Sequence, residues 1–232
     1  MPPTDLSRLR LPRACRDALA QPRPERIDGH TITIADDWWN TEIAAAYLPG
    51  APVAGPDVTQ LSRGDLFTDA ANLDASSDEE LLRFLWRVLA WGSGMKLRLS
   101  RKRIRAVADS RSSALAALRE ALQAAREDPA QAYEALRPGG NNSIAYLGPS
   151  FSTKLLYFAG GGALDHPCAI LDSQVATTLR NNCRWDSLGE NEWPTSTYAR
   201  YSELLDRWAQ EEGGRLGRRI GVDEIERWLF RP

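Results

Sequence analysis

A mostly α-helical fold with a small β or irregular portion at the N-terminus is what this 232-residue chain predicts. Three observations point to it. Apolar residues recur at three- and four-residue spacing through most of the chain beyond about residue 75, the segments with that spacing are bracketed by Gly, Pro or Asn, and strand-like alternation is confined to His30 to Ile34. The chain accordingly divides into 1–75, irregular with a short strand and a helix, and 76–232, helical.

In the first portion Pro22, Pro24, Pro49, Gly50, Pro52, Gly55 and Pro56 punctuate the backbone, leaving room for a helix near Asp37 to Leu48. Ser77, with Glu80 three residues on, reads as a capping box for a buried helix carrying Leu81, Leu82, Leu85, Val88 and Leu89, stopped by Gly92 and Gly94. An alanine-rich helix spans Ser113 to Glu127, ahead of Pro129, and a short one Ala130 to Leu136, ended by Pro138, Gly139 and Gly140. Further helices are expected at Thr153 to Ala159, Ser173 to Arg180, Thr197 to Glu211 and Val222 to Phe230.

Composition narrows the function classes. At 43% hydrophobic the chain can bury one substantial core or two small ones. No run approaches the roughly 18 apolar residues of a membrane span, so a soluble cytoplasmic protein is expected, with no membrane partner. Cys15, Cys168 and Cys183 form neither a CxxC pair nor an even set, which argues against disulfides, a zinc knuckle or an iron–sulfur centre. His166 and Cys168 stand two apart, but with His30 the only other histidine a metal site lacks ligands; no metal and no cofactor are expected. With 29 basic and 31 acidic residues the net charge is −2, so any nucleic-acid site must be a local patch.

The informative stretch runs from Ser143 through Gly148-Pro149-Ser150-Phe151-Ser152-Thr153-Lys154 to Gly160. An apolar helix end, a turn of small residues and a new apolar helix make a helix-hairpin-helix. At such a turn the backbone N–H groups of Gly148, Ser150, Ser152 and Thr153 and the N-terminus of the second helix hold a DNA phosphate without reading sequence.

This segment resembles the hairpin of the helix-hairpin-helix DNA glycosylases, in particular the 8-oxoguanine DNA glycosylase (OGG-like) family, in which Leu-Pro-Gly-Val-Gly-Thr-Lys ends on the catalytic lysine. Asp172, in Ala169-Ile-Leu-Asp172-Ser-Gln-Val-Ala176, is similar to the family's aspartate, and the separation of eighteen residues (172 minus 154) is alike. The resemblance is good from Ser143 to Arg180 and weaker back to about Ser77. Ser150 and Ser152 replace two hairpin glycines, Gln174 replaces a histidine, and Phe158 stands where the eukaryotic enzymes have a base-contacting cysteine. The resemblance implies a helix-hairpin-helix glycosylase fold and a DNA glycosylase and abasic-site lyase, acting in base-excision repair on duplex DNA that contains a modified base, an oxidised purine by family. Glycosylase-like proteins also occur in bacterial antiphage operons, which adds an antiphage role and partners from such an operon to what it implies.

The residue types suit that chemistry. Breaking an N-glycosidic bond builds positive charge on the sugar, which the Asp172 carboxylate stabilises, and a neutral Lys154 amine attacks C1′ to form a Schiff base. A first-turn position beside the apolar wall of Leu155, Leu156 and Phe158 favours the uncharged amine. Taken singly, Lys154 is an ordinary surface lysine and Asp172 an ordinary N-cap; together they form the catalytic candidate.

Two further features stay open between roles. The basic run Lys96, Arg98, Arg101, Lys102, Arg103, Arg105 and Arg111 is either a solvated helix face or a phosphate contact, with Arg101, Lys102 and Arg103 at its centre. Of eight tryptophans, mostly core by default, Trp185 and Trp193 follow the Asp172 helix closely enough to stack, with Phe158, on an extruded base. The rival readings for the whole chain are a non-catalytic hairpin module that only binds DNA and an all-α scaffold in a defence complex.

Overall fold

The computed structural model describes residues 4–54 and 59–231; Gly55 and Pro56 of the N-terminal punctuation lie outside them. Helices α1 (Arg13–Ala18) and α2 (Arg23–Arg26) precede β1 (Thr31–Thr33), α3 (Asp36–Ala45), β2 (Gln60–Ser62) and α4 (Arg63–Ala71). Then come α5 (Asp78–Ser93), α6 (Ser100–Asp109), α7 (Arg111–Ala124), α8 (Pro129–Leu136), α9 (Pro149–Phe158), α10 (Ser173–Cys183), α11 (Thr195–Leu216) and α12 (Val222–Phe230). The fold is mostly helical with one small antiparallel ribbon, in which Ile32 faces Leu61 across β1 and β2.

Local signals account for most of these elements. The Ser77 hydroxyl accepts the Glu80 N–H at 3.3 Å and so caps α5, but the Glu80 carboxylate turns to the Asp74 N–H at 2.9 Å, so the reciprocal half of the expected box is absent. The reciprocal box lies instead at α4, where Ser62 and Asp65 cap each other. Most of the basic run lies on α6. Ser143 to Leu147 is not a helix end: α8 stops at Leu136, a 3-10 turn follows at Pro138–Gly140, and an irregular stretch leads to α9. The second hairpin helix starts four residues before the expected Thr153, because Pro149 at its first position has the fixed φ that a helix start needs.

Helix α9 is the centre of the molecule. It packs against α4, α5, α7 and α8, and every residue from Ser152 to Phe158 is buried, so it lacks the single apolar stripe of a surface helix. Helix α12 closes the other side, against α1, α2, α10 and α11. One apolar cluster runs from Leu9 to Leu229 and joins the N-terminal portion to the helical remainder. Among the described residues no helix is long and apolar enough to cross a membrane, and no group of three His, Cys, Asp or Glu is placed to hold a metal ion.

Candidate active site

Lys154 and Asp172 are neighbours in space because the residues before them are tied together. Thr153, fully buried, donates its hydroxyl to the Leu171 carbonyl at 3.0 Å and accepts the Leu171 N–H at 3.1 Å. That double contact fastens α9 to the extended segment leading into α10, and one residue further on Lys154 Nζ meets Asp172 Oδ2 at 3.5 Å. Both side chains are nearly enclosed, at 10% and 13% exposure. The amine also donates to the Ser150 carbonyl at 3.3 Å.

The two oxygens of Asp172 have separate duties. Oδ1 caps α10, accepting from the Gln174 and Val175 N–H groups at 3.0 and 3.1 Å, while Oδ2 turns to Lys154. The cap and the ion pair therefore coexist in one side chain. Lys154 is the sixth residue of α9, in its second turn rather than the expected first, so the helix N-terminus acts on it less directly than the sequence suggests. Gly92 of α5 makes room for its stem: a Cβ there would fall 2.8 Å from a Phe151 ring carbon and 3.0 Å from Lys154 Cδ.

The pair opens onto a cleft of about 100 Å³. His30, just before β1, and Ile32 of the ribbon come to it, with Arg63 from α4, Trp91 and Gly92 from α5, Glu226 and Phe230 from α12, and Ile170 completing the wall. The His30 ring meets Trp91 edge-on at 5.4 Å and Phe230 at 6.2 Å. Burial, with the guanidiniums of Arg63, Arg227 and Arg231 adding to it, pushes the His30 imidazole down to about 3, so it is neutral at ordinary pH.

Under the cleft lies a buried polar chain. Arg63 donates to both Glu226 oxygens, at 2.8 and 3.3 Å, and to the Tyr157 hydroxyl at 3.0 Å. Tyr157 in turn donates to Asp223 Oδ2 at 3.1 Å, which also accepts from Arg23 at 2.6 Å. Burial works against the Arg63 charge, but the Glu226 carboxylate beside it holds the guanidinium firmly protonated. Such a pair adds little over an apolar replacement, yet removing one partner costs about 3–5 kcal/mol because the other is left charged and alone. It locks α4, α9 and α12 together around the site.

The other expected contacts fall in three places. Gly148 and Ser150 stand partly exposed at the start of α9, where the first N–H groups of a helix lack an internal acceptor, and no atom lies within 4 Å of where a Gly148 Cβ would be. Ser152 and Thr153, expected beside them at a phosphate, are both wholly buried with their hydroxyls turned inward. Within the basic run, Lys96, Arg98, Arg101, Lys102 and Arg105 are not buried, but Arg101 is paired with Glu42. Arg103 is not a surface cation at all: it is buried, lies 4.1 Å over the Phe151 ring, and donates to the Tyr146 carbonyl at 2.9 Å. Burial pushes its guanidinium down to about 10. Its service is to hold the loop before α9 against α6.

The aromatic residues are redistributed. Trp185 and Trp193 are each 1% exposed, in the core and outside the cleft wall; Trp193 donates to the Gly189 carbonyl at 2.8 Å. Arg184 in the left-handed conformation ends α10 and turns the chain inward, which carries Trp185 away from Asp172. Phe158 is also fully buried and backs the cleft from behind, edge-on to Trp91 at 5.1 Å. The cleft's own residues His30, Arg63, Trp91, Glu226 and Phe230 carry no sequence signal beyond an isolated histidine ahead of a strand and an aromatic on the last helix.

The fold is mostly helical, and its central helix α9 brings Lys154 beside Asp172, the aspartate that caps α10. Residues 25–230, most of the chain, match the family described as "Putative 8-oxoguanine DNA glycosylase OGG-like protein", and the chain belongs to that OGG-like family. No curated protein and no solved structure matches it.

Proposed function

We propose that the protein is a DNA glycosylase with an abasic-site lyase step, taking a modified purine base, an oxidised one by family, out of duplex DNA in the cytoplasm. The observation that carries this reading is the Lys154–Asp172 pair, 3.5 Å apart and nearly enclosed, in the wall of an aromatic-lined cleft.

An enzyme acting on a base must first take it out of the stack, since the glycosidic bond is out of reach within the duplex. With the nucleotide extruded and its base in the cleft, Asp172 Oδ2 stabilises the positive charge that grows on the sugar as the C1′–N bond breaks. Lys154 Nζ, having given up its proton, forms the new bond to C1′; the base leaves with the electron pair of the broken bond and takes up a proton. The aminal so formed opens as its C1′–O4′ bond breaks, the nitrogen lone pair making the C1′=N bond and O4′ taking up a proton, and the protonated Schiff base that results is the entry to strand cleavage. The open start of α9 at Gly148 and Ser150, with Lys102, Arg98 and Arg105, supplies the backbone contacts that position DNA without reading it.

Family membership supports a repair role. An antiphage role, with partners from the same operon, is a second setting for the same chemistry. A panel of duplexes, each with one modified base and assayed for base release and strand cleavage, tests the proposal. Cleavage of at least one duplex, abolished by Lys154→Gln, is expected. A folded protein that binds these duplexes and releases no base from any of them is a binding module, and the proposal fails.

A further inference from the structure

Neither polar contact of Lys154 is short enough to fix its amine, since the Asp172 carboxylate stands 3.5 Å away and the Ser150 carbonyl 3.3 Å. A lysine stem is flexible, so its packing must aim it. A Cβ on Gly92 of α5 would fall 3.0 Å from Lys154 Cδ, and 2.8 and 3.3 Å from Cε1 and Cδ1 of the Phe151 ring. Stem and ring edge thus converge on one point of α5. Phe151 is the third residue of α9 and precedes Lys154 by three positions, which puts the two side chains on one helix face, a turn apart. We infer that Phe151 is a positioning residue for Lys154: its ring, seated against Gly92 and stacked on Arg103, walls the slot that points the lysine at the reacting carbon. The inference rests on the reading of Lys154 as the nucleophile.

A ring serves as a wall only if it is itself held. Arg103 of α6 supplies the hold: its buried guanidinium lies 4.1 Å from the centre of the ring and donates to the Tyr146 carbonyl at 2.9 Å and the Arg98 carbonyl at 3.4 Å. These partners are backbone oxygens and carry no charge to balance the cation, and a desolvated cation gains most from an aromatic face. The ring is therefore pinned between α6 and α5. The Lys154 amine lies 5.7 Å from the ring centre, so the wall borders the reacting end of the side chain as well as its stem. Phe151 also stands where the hairpin Leu-Pro-Gly-Val-Gly-Thr-Lys has a valine, and here the larger residue faces a glycine that gives it room. Misplacing a reacting group by about 1 Å can cost about a hundredfold in rate, so loss of the wall should strike the chemical step and spare DNA binding.

A duplex with a preformed abasic site tests this whichever base is excised. Lys154 Nζ adds to the C1′ aldehyde of the opened sugar, the oxygen leaves as water, and borohydride delivers hydride to the C1′=N bond. The rate of adduct formation at saturating protein then reads the aim of the amine. Phe151→Ala is expected to slow it by about ten- to a hundredfold with duplex affinity little changed, and Phe151→Leu, which keeps part of the bulk, to slow it less. Gly92→Ala, which drives a methyl group into the slot, should slow it too, and adding Phe151→Leu should recover part of that loss. Two independent packing defects would instead add. Trapping at the wild-type rate in folded Phe151→Ala, a deficit that disappears at saturating protein, or additive losses in the double variant overturns the inference. If Phe151→Ala does not fold, Phe151→Leu, Gly92→Ala and their combination decide by the same criteria. Wild-type protein that gives no adduct, or one that Lys154→Gln forms equally well, would refute the lysine reading itself and the inference with it.

Discussion

Asp172→Asn separates the structural from the chemical duty of one side chain. Asn caps helices about as well as Asp, so Oδ1 can go on accepting from the Gln174 and Val175 N–H groups and the start of α10 should stay intact. What changes is Oδ2, which becomes an N–H₂ group 3.5 Å from the Lys154 amine. Removing a nearly enclosed ion pair costs less here than the full burial penalty, because the contact is long and Lys154 keeps its bond to the Ser150 carbonyl; about 1–2 kcal/mol of stability is expected. Excision should suffer far more, slowing by about two to four orders of magnitude as a preorganised charge is removed. Single-turnover base release, read beside urea unfolding of the same variant, checks both numbers. Excision at the wild-type rate, or a protein that no longer folds, would show that Asp172 is a structural cap and nothing more.

Thr153→Val keeps the shape of the side chain but removes both bonds to Leu171, so stability should drop by about 1–3 kcal/mol and excision should slow, with DNA binding little changed; an unaltered excision rate would show that the Thr153 strap does not set the Lys154–Asp172 distance. Replacing Arg98, Lys102 and Arg105 together by Ala should flatten the dependence of duplex affinity on salt by about one log–log unit for each phosphate these cations neutralise, and an unchanged slope would place the DNA elsewhere. Arg103→Ala should instead destabilise the fold by about 2 kcal/mol, since it removes the bond to the Tyr146 carbonyl and the stacking on Phe151, as read by urea unfolding. Burial lowers both histidines, His30 to about 3 and His166 in the same direction, so each is neutral when folded and takes up a proton on unfolding once the pH is below the unfolded value of 6.5. Stability is then whole above that pH and declines as pH falls from 6.5 toward 3; the urea midpoint should be lower at pH 5 than at pH 7, with a smaller drop in His166→Gln.

The helices are legible in the sequence because their signals are local. Ser77, Pro129, Pro138 and Gly94 mark starts and stops within a few residues, and α5, α8 and α12 fall close to where spacing and punctuation put them. The proximity of Lys154 and Asp172 is legible only through family likeness; its physical cause, the Thr153 hydroxyl strapped to Leu171, has no signature in spacing. Arg103 and Lys102 are adjacent in the same basic run, yet a helix turns adjacent residues about 100° apart, and one lies buried on Phe151 while the other is exposed. Nearness in sequence to Asp172 points Trp185 and Trp193 toward the base, but Trp185 follows the left-handed turn at Arg184 that ends α10, Trp193 is bonded to the Gly189 carbonyl, and both indoles lie in the core. The cleft wall joins residues as distant as His30 and Phe230, a juxtaposition that periodicity and spacing do not encode.

The central claim is that Lys154 is the nucleophile, and borohydride reduction during turnover addresses it most directly. Wild-type protein mixed with a duplex carrying an excisable base should be trapped as a covalent protein–DNA adduct, with peptide mapping placing the bond on Lys154 and with Lys154→Gln yielding none. An adduct on another residue, or base release at full rate from Lys154→Gln, would contradict that claim.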